Sequence, residues 1–256
     1  MEEILALLTP ATMIMCLIVA FAAGIIKGMV GFAMPMIMIS GLSSIVGAEW
    51  ALAGLILPTV ATNLWQALRQ GWIEAWHSVR RFRLFLMVGF VTLVGSAQLV
   101  RVLPADVLLI LIGSPIVVFA LIQLVGVQIH LRNGSSSQIE AGVGAFAGLI
   151  GGVSGIWGPP TVMYLTAINT PKRDQIRIQG VIYGLGAIAL LGAHIGSGVV
   201  RFETIPFSAA LLVPALIGTW LGFRIHDKID QAAFKKATLF VLLVVGANLV
   251  RKGLMG

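Results

Sequence analysis

Charge is what this sequence has least of. Only 11% of its 256 residues are Asp, Glu, Lys or Arg and 58% are apolar, whereas an ordinary soluble domain carries about 25% charged residues. Such a chain cannot cover a water-facing surface with polar groups, so lipid is its expected solvent. Cysteine is nearly missing: Cys16, the single one, sits inside an apolar run, which excludes an internal disulfide and any multi-cysteine metal site. Catalytic signatures are lacking as well. The chain contains no His-Glu-x-x-His, no Gly-x-Ser-x-Gly, no Walker loop and no paired carboxylates inside an apolar run. This counts against a membrane-embedded enzyme acting on a lipid or quinone. All ten acidic residues lie at the ends of apolar runs or in loops, so a carboxylate relay for protons is not expected. The acidic opening Met1-Glu2-Glu3 lacks the basic start of a removable signal peptide, so the first helix is expected to be retained. No cofactor or metal site is expected.

What the sequence has instead is uncharged length. Ile4 to Ile26, Gly28 to Ala48, Trp50 to Leu68, Val107 to Ile129, Ala141 to Pro171 and Ile178 to Val200 contain no charged residue, and roughly 20 such residues span a bilayer. None of these runs alternates polar and apolar residues, which excludes a membrane barrel and predicts an all-α, polytopic helix bundle. Charges, Gly and Pro divide the chain into ten apolar segments, near residues 4–26, 34–47, 50–68, 84–100, 105–128, 140–151, 159–169, 176–198, 205–223 and 234–250. With the N-terminus outside, the inner ends receive Lys27, Arg69, Arg80, Arg81, Arg83, Arg132, Lys172, Arg173, Arg177, Arg224, Lys228, Lys235 and Lys236, which is 13 of the 17 cations. An excess of cytoplasmic cations orients membrane helices, so both termini are expected outside. The same placement explains the net charge of +7 without nucleic acid. The loop from Arg69 to Arg83, with Trp72, Trp76 and His77, reads as an amphipathic interfacial segment.

A repeat emerges when Gly24-Ile25-Ile26-Lys27-Gly28-Met29-Val30-Gly31-Phe32-Ala33-Met34-Pro35 is laid over Gly148-Leu149-Ile150-Gly151-Gly152-Val153-Ser154-Gly155-Ile156-Trp157-Gly158-Pro159. Gly95-Ser96 over Gly218-Thr219 and Arg101 over Arg224 keep nearly the same offset. Residues 1–128 and 140–256 therefore read as two membrane repeats joined by a cytoplasmic linker at 129–139. An odd number of segments per repeat inverts the second relative to the first. Segments 34–47 and 159–169 are too short to cross about 30 Å of hydrocarbon, so they are expected to be half-crossings whose bends meet inside the bundle. Close helix packing at Gly24-x-x-x-Gly28 is the competing explanation of the glycines.

These paired Gly-x-x-x-Gly-x-x-Gly-x-x-x-Pro bends, opening each half of a chain near 250 residues with almost no extramembrane domain, resemble the sulfite exporter TauE/SafE family. The likeness covers nearly the whole chain and includes Gly158-Pro159-Pro160. Lys27 departs from the repeat, since its copy is Gly151. The resemblance implies a prokaryotic cytoplasmic (inner) membrane protein of about eight full crossings that carries sulfite or short organosulfonates.

An anion needs hydrogen-bond donors and positive potential in a low-dielectric site, and half-helix N-termini supply both. Backbone donors after the first bend are Gly31, Phe32, Ala33 and Met34; those after the second are Gly155, Ile156, Trp157 and Gly158, with Gly28 and Gly152 permitting close approach. Ser154 adds a hydroxyl and Trp157 an indole N–H. Lys27 either faces the anion or snorkels to the inner surface. Thr59, Thr62, Asn63 and Gln66 form one helical stripe, and Gln179, Tyr183 and His194 return to one face in the copy. Both stripes are expected to line a polar pathway, with His194 a candidate for a coupling proton. Gln123 and Asn248, related by the repeat, are expected to pair. The sequence thus points to a secondary transporter, an exporter of a small sulfur-containing anion working by alternating access at a midplane site. An uptake carrier and an accessory subunit of a membrane complex remain alternatives, and a homo-oligomer is left open.

Overall fold

The computed structural model describes residues 9–96, 105–127, 136–154, 158–196 and 199–255. All regular structure among them is helical, in eleven helices: α1 (Pro10–Val30), α2 (Met34–Val46), α3 (Ala48–Leu68), α4 (Trp72–Arg81), α5 (Arg83–Ser96), α6 (Ala105–Leu124), α7 (Ser137–Ser154), α8 (Gly158–Ala167), α9 (Lys172–Gly196), α10 (Ile205–Lys228) and α11 (Gln231–Met255). Five of these carry stretches long and apolar enough to cross a membrane: Pro10–Val30, Glu49–Leu68, Lys172–Gly192, Ile205–Lys228 and Gln231–Met255. At 1.5 Å per residue, α2 with its 13 residues and α8 with its 10 reach about 20 and 15 Å, short of the hydrocarbon thickness as expected.

Beside an apolar core, large apolar side chains are exposed and polar ones are sealed inside. Ile18, Met87, Phe90, Val91 and Phe240 are exposed, while Lys27, Asn63, Gln66, Gln179, Thr219 and His226 are sealed inside. A chain of this kind gains nothing by hiding apolar side chains from lipid; it must instead hide its polar ones. The segment between Arg69 and Arg83 forms the short amphipathic helix α4, with Trp72 and Ile73 exposed and the Arg80 guanidinium over the Trp76 ring.

The chain packs as two compact units, residues 1–72 with 176–230 and residues 73–175 with 231–256. In the first, α1 pairs closely with α10, and α2 and α3 complete the packing. Met34, Met38 and Leu42 of α2 interlock there with Cys16, Ala20 and Ala23 of α1 and with Leu211 of α10. In the second, α5 pairs with α7 and α6 with α11. There Glu140, buried at the start of α7, is held by Arg81 at 2.8 Å and accepts from the Phe85 amide at 3.4 Å.

Gly24 and Gly28 of the first motif fall inside α1, which runs on to Val30, and Gly31 caps its end. Lys27 accordingly lies in the last helical turn. The helical cost of Gly24 and Gly28 is offset by contact with α10: a Cβ at Gly24 would lie 3.0 Å from the Thr219 nitrogen, and one at Gly28 2.9 Å from Gly222 Cα and the Phe223 nitrogen. Close packing, the competing reading of these two residues, is therefore realised.

Pro58 inside α3 has no N–H for the carbonyl four residues earlier, Gly54. Ser208 of α10 donates to Gly54 O at 3.0 Å and fills that gap. Ser208→Ala is expected to lower stability by about 1–3 kcal/mol, the cost of a buried carbonyl left unpaired. Denaturant unfolding in detergent, followed by helical circular dichroism, checks this; an unchanged midpoint would show that Gly54 finds another partner.

Candidate functional site

The site grows from the place where α1 breaks. Gly31 takes φ 89°, in the left-handed region, and its amide closes back on Lys27 O at 2.6 Å. A side chain there would be strained by that backbone and would strike Gln179 and Ile176 Cδ1. Ala33, also left-handed at φ 74°, redirects the chain into α2. The break leaves the last carbonyls of α1 without helical partners inside a lipid-soluble bundle, where each must be paired.

Side chains from three helices pair them. Gln66 of α3 donates through Nε2 to Gly31 O at 3.0 Å and to Ile176 O at 2.7 Å. Gln179 of α9, with its amide nitrogen turned to the bend, donates to Val30 O at 3.1 Å and to Gly31 O at 3.0 Å. His226 of α10 places Nδ1 3.3 Å from Met29 O. Gly180 and Gly184 let α9 approach α3 this closely: a Cβ at Gly180 would stand 2.8 Å from the Gln66 carbonyl carbon, and one at Gly184 3.7 Å from Asn63 Cβ. Tyr183, one turn beyond Gln179, is buried.

Lys27 points inward. It is 1% exposed, and its Nζ donates to Asn63 Oδ1. No carboxylate is paired with it among the described residues; Arg69 pairs with Asp227, and Arg201 with Glu49 and Glu203, elsewhere in this unit. A buried ammonium with one neutral partner is a costly arrangement that an anion relieves. α2 begins nearby at Met34 with no side-chain cap, so its first N–H groups and its dipole add positive potential next to the bend. Phe32, Ala33 and Met34 are buried there. Thr59 and Thr62 occupy the same buried stripe of α3; the Thr62 hydroxyl is spent on Pro58 O at 2.6 Å, while Thr59 Oγ1 has no partner among the described residues.

The structure thus gathers Lys27, Gly31, Phe32, Ala33, Asn63, Gln66, Gln179 and Tyr183 in one unit. Gly28 lies in the same helix but faces α10. Gly152 and Ser154 end α7 and His194 lies in α9, with the surroundings of these three outside the description; Gly155 and Trp157 lie outside the described residues altogether. The expected pairing of Gln123 with Asn248 is not formed. Both polar atoms of the Gln123 amide are buried without partners among the described residues, and Asn248 accepts from Arg251 at 3.0 Å. Equivalent positions in a repeat need not touch, and a cation one turn away is the easier partner. His226 was missed from the sequence because it follows the ninth apolar segment; α10 continues past that boundary and carries it inward.

Five helical stretches long and apolar enough to cross a membrane, with large apolar side chains exposed along them, mark a multi-pass membrane protein. Residues 16–249 match the family described as Sulfite exporter TauE/SafE, and the chain belongs to that family of membrane transporters. No curated protein and no solved structure matches it.

Proposed function

We propose that this protein is a secondary transporter, an exporter, of a small sulfur-containing anion, sulfite or a short organosulfonate, in a prokaryotic cytoplasmic membrane. The observation that carries the reading is Lys27, an ammonium sealed in the bundle with Asn63 as its polar partner, beside the uncapped start of α2. In this reading the anion lies between Lys27, the N–H groups of Asn63 and the backbone donors of Phe32 and Ala33. Gln66 and Gln179 hold the broken end of α1 so that these donors stay in place. Alternate exposure of the site to the two sides moves the anion. Gly152, Ser154, Gly155 and Trp157 offer the same kind of donors in the second copy.

We read the two halves as inverted repeats with both termini outside. The glycine contacts support the repeat itself: Gly24 meets α10 at Ala215, and its copy Gly148 meets α5 at Gly89 and Thr92. Thr92 precedes Ala215 by the offset of 123 that also relates Gly95 to Gly218.

A ligand stabilises the state it binds, by about 2.7 kcal/mol at a hundred times its dissociation constant. Purified protein is expected to melt at higher temperature with sulfite, thiosulfate, sulfoacetate or isethionate than with carboxylates of matched size. A preference for the carboxylates would overturn the sulfur assignment. Flux in vesicles of known orientation then separates export from uptake.

A further inference from the structure

We propose that the outward face of α10 binds one anionic phospholipid, its phosphate held by Arg224 and Lys228 and an acyl chain laid along Trp220, Ile217 and Val213. These five side chains fall within about 80° of one another around the helix, in a stripe about 22 Å long. Val213, Ile217 and Trp220 are 59%, 49% and 41% exposed, and the two cations that follow them are exposed as well. The opposite side of α10 is the packed one, where Gly218 and Gly222 meet the backbone of α1.

Any lipid tail can cover exposed apolar side chains, so the charged end of the stripe carries the inference. The Arg224 guanidinium lies over the Trp220 ring, 3.8 Å from its centroid, which fixes a cation at the boundary of the apolar surface. Neither Arg224 nor Lys228 is paired with a carboxylate among the described residues. Asp227, which lies between them in sequence, is taken by Arg69 at the end of α3, and that guanidinium is itself held over the Phe223 ring at 4.3 Å. Arg224 and Lys228 are thus left as a pair of cations one turn apart. A phosphodiester complements them: the guanidinium offers a planar fork to two oxygens, and the ammonium adds a further donor. A zwitterionic headgroup brings a cation of its own to the same place and loses part of that attraction.

Native mass spectrometry of the purified protein, titrated with phosphatidylglycerol or with phosphatidylcholine of the same chains, counts bound lipids and gives the affinity for each. The wild type is expected to hold one phosphatidylglycerol roughly tenfold more tightly than phosphatidylcholine, and Arg224→Gln combined with Lys228→Gln is expected to bring the two within about twofold. Lys236→Gln is the control. Lys236 also ends an exposed apolar stripe, Phe240 and Val244 on α11, and its loss is expected to leave the preference unchanged. Equal wild-type affinities, a preference that survives the double substitution, or an equal loss in Lys236→Gln would each overturn the inference. So would a dimer that persists in both lipids and dissociates in Ile217→Glu, because a second copy of the chain would then cover this face.

Discussion

Replacing Lys27 by Met is expected to weaken sulfur-anion binding by roughly 100-fold, the usual scale for removing one partner of a buried charge pair. Stability without ligand should move the other way. The wild-type ammonium is 1% exposed and has no carboxylate paired with it among the described residues, so an apolar side chain of similar length removes an uncompensated charge. An equal or higher melting temperature together with lost binding is thus the signature of a residue kept for its ligand. A lower melting temperature with unchanged affinity would make Lys27 a structural residue bound to Asn63 and nothing more. Calorimetry and thermal melts on the same two preparations decide between these outcomes.

The second large effect is expected at Gly28. A Cβ there would press on backbone atoms of α10, at Gly222 Cα and the Phe223 nitrogen, both 2.9 Å away, and backbone cannot swing aside as a side chain does. Gly28→Leu is expected to cost about 3 kcal/mol or more and to leave little folded protein in detergent. Gly95 is the internal control. It is helical, and nothing among the described residues lies within 4 Å of its Cβ position. Gly95→Ala is therefore expected to be neutral or slightly stabilising, since alanine favours helix by about 1 kcal/mol. Yield and size-exclusion profiles compare the two; equal behaviour would mean that α1 and α10 tolerate separation.

The polar stripe on α3 was legible because a helix in lipid has no other use for Thr59, Asn63 and Gln66 at helical spacing, and all three are buried. The short lengths of α2 and α8 were legible from charge and proline alone. The exact break was not. The sequence offers Gly24, Gly28 and Gly31 as equivalent breakers, and only tertiary contact separates them: the first two are occupied by α10, and Gly31 alone adopts the left-handed backbone. The direction of Lys27 was equally hidden, because an interfacial and a buried lysine read the same until Asn63 is placed beside it. The Gln66 and Gln179 contacts with the α1 carbonyls depend on side chains distant in sequence, and no local pattern encodes such pairing.

Counterflow in proteoliposomes made from the purified chain alone tests the central claim most directly. Vesicles loaded with unlabelled sulfite are expected to accumulate labelled sulfite transiently and saturably, and vesicles bearing Lys27→Met are expected not to. Absence of counterflow in the wild type with every sulfur anion tried, or equal counterflow in the variant, would contradict the account.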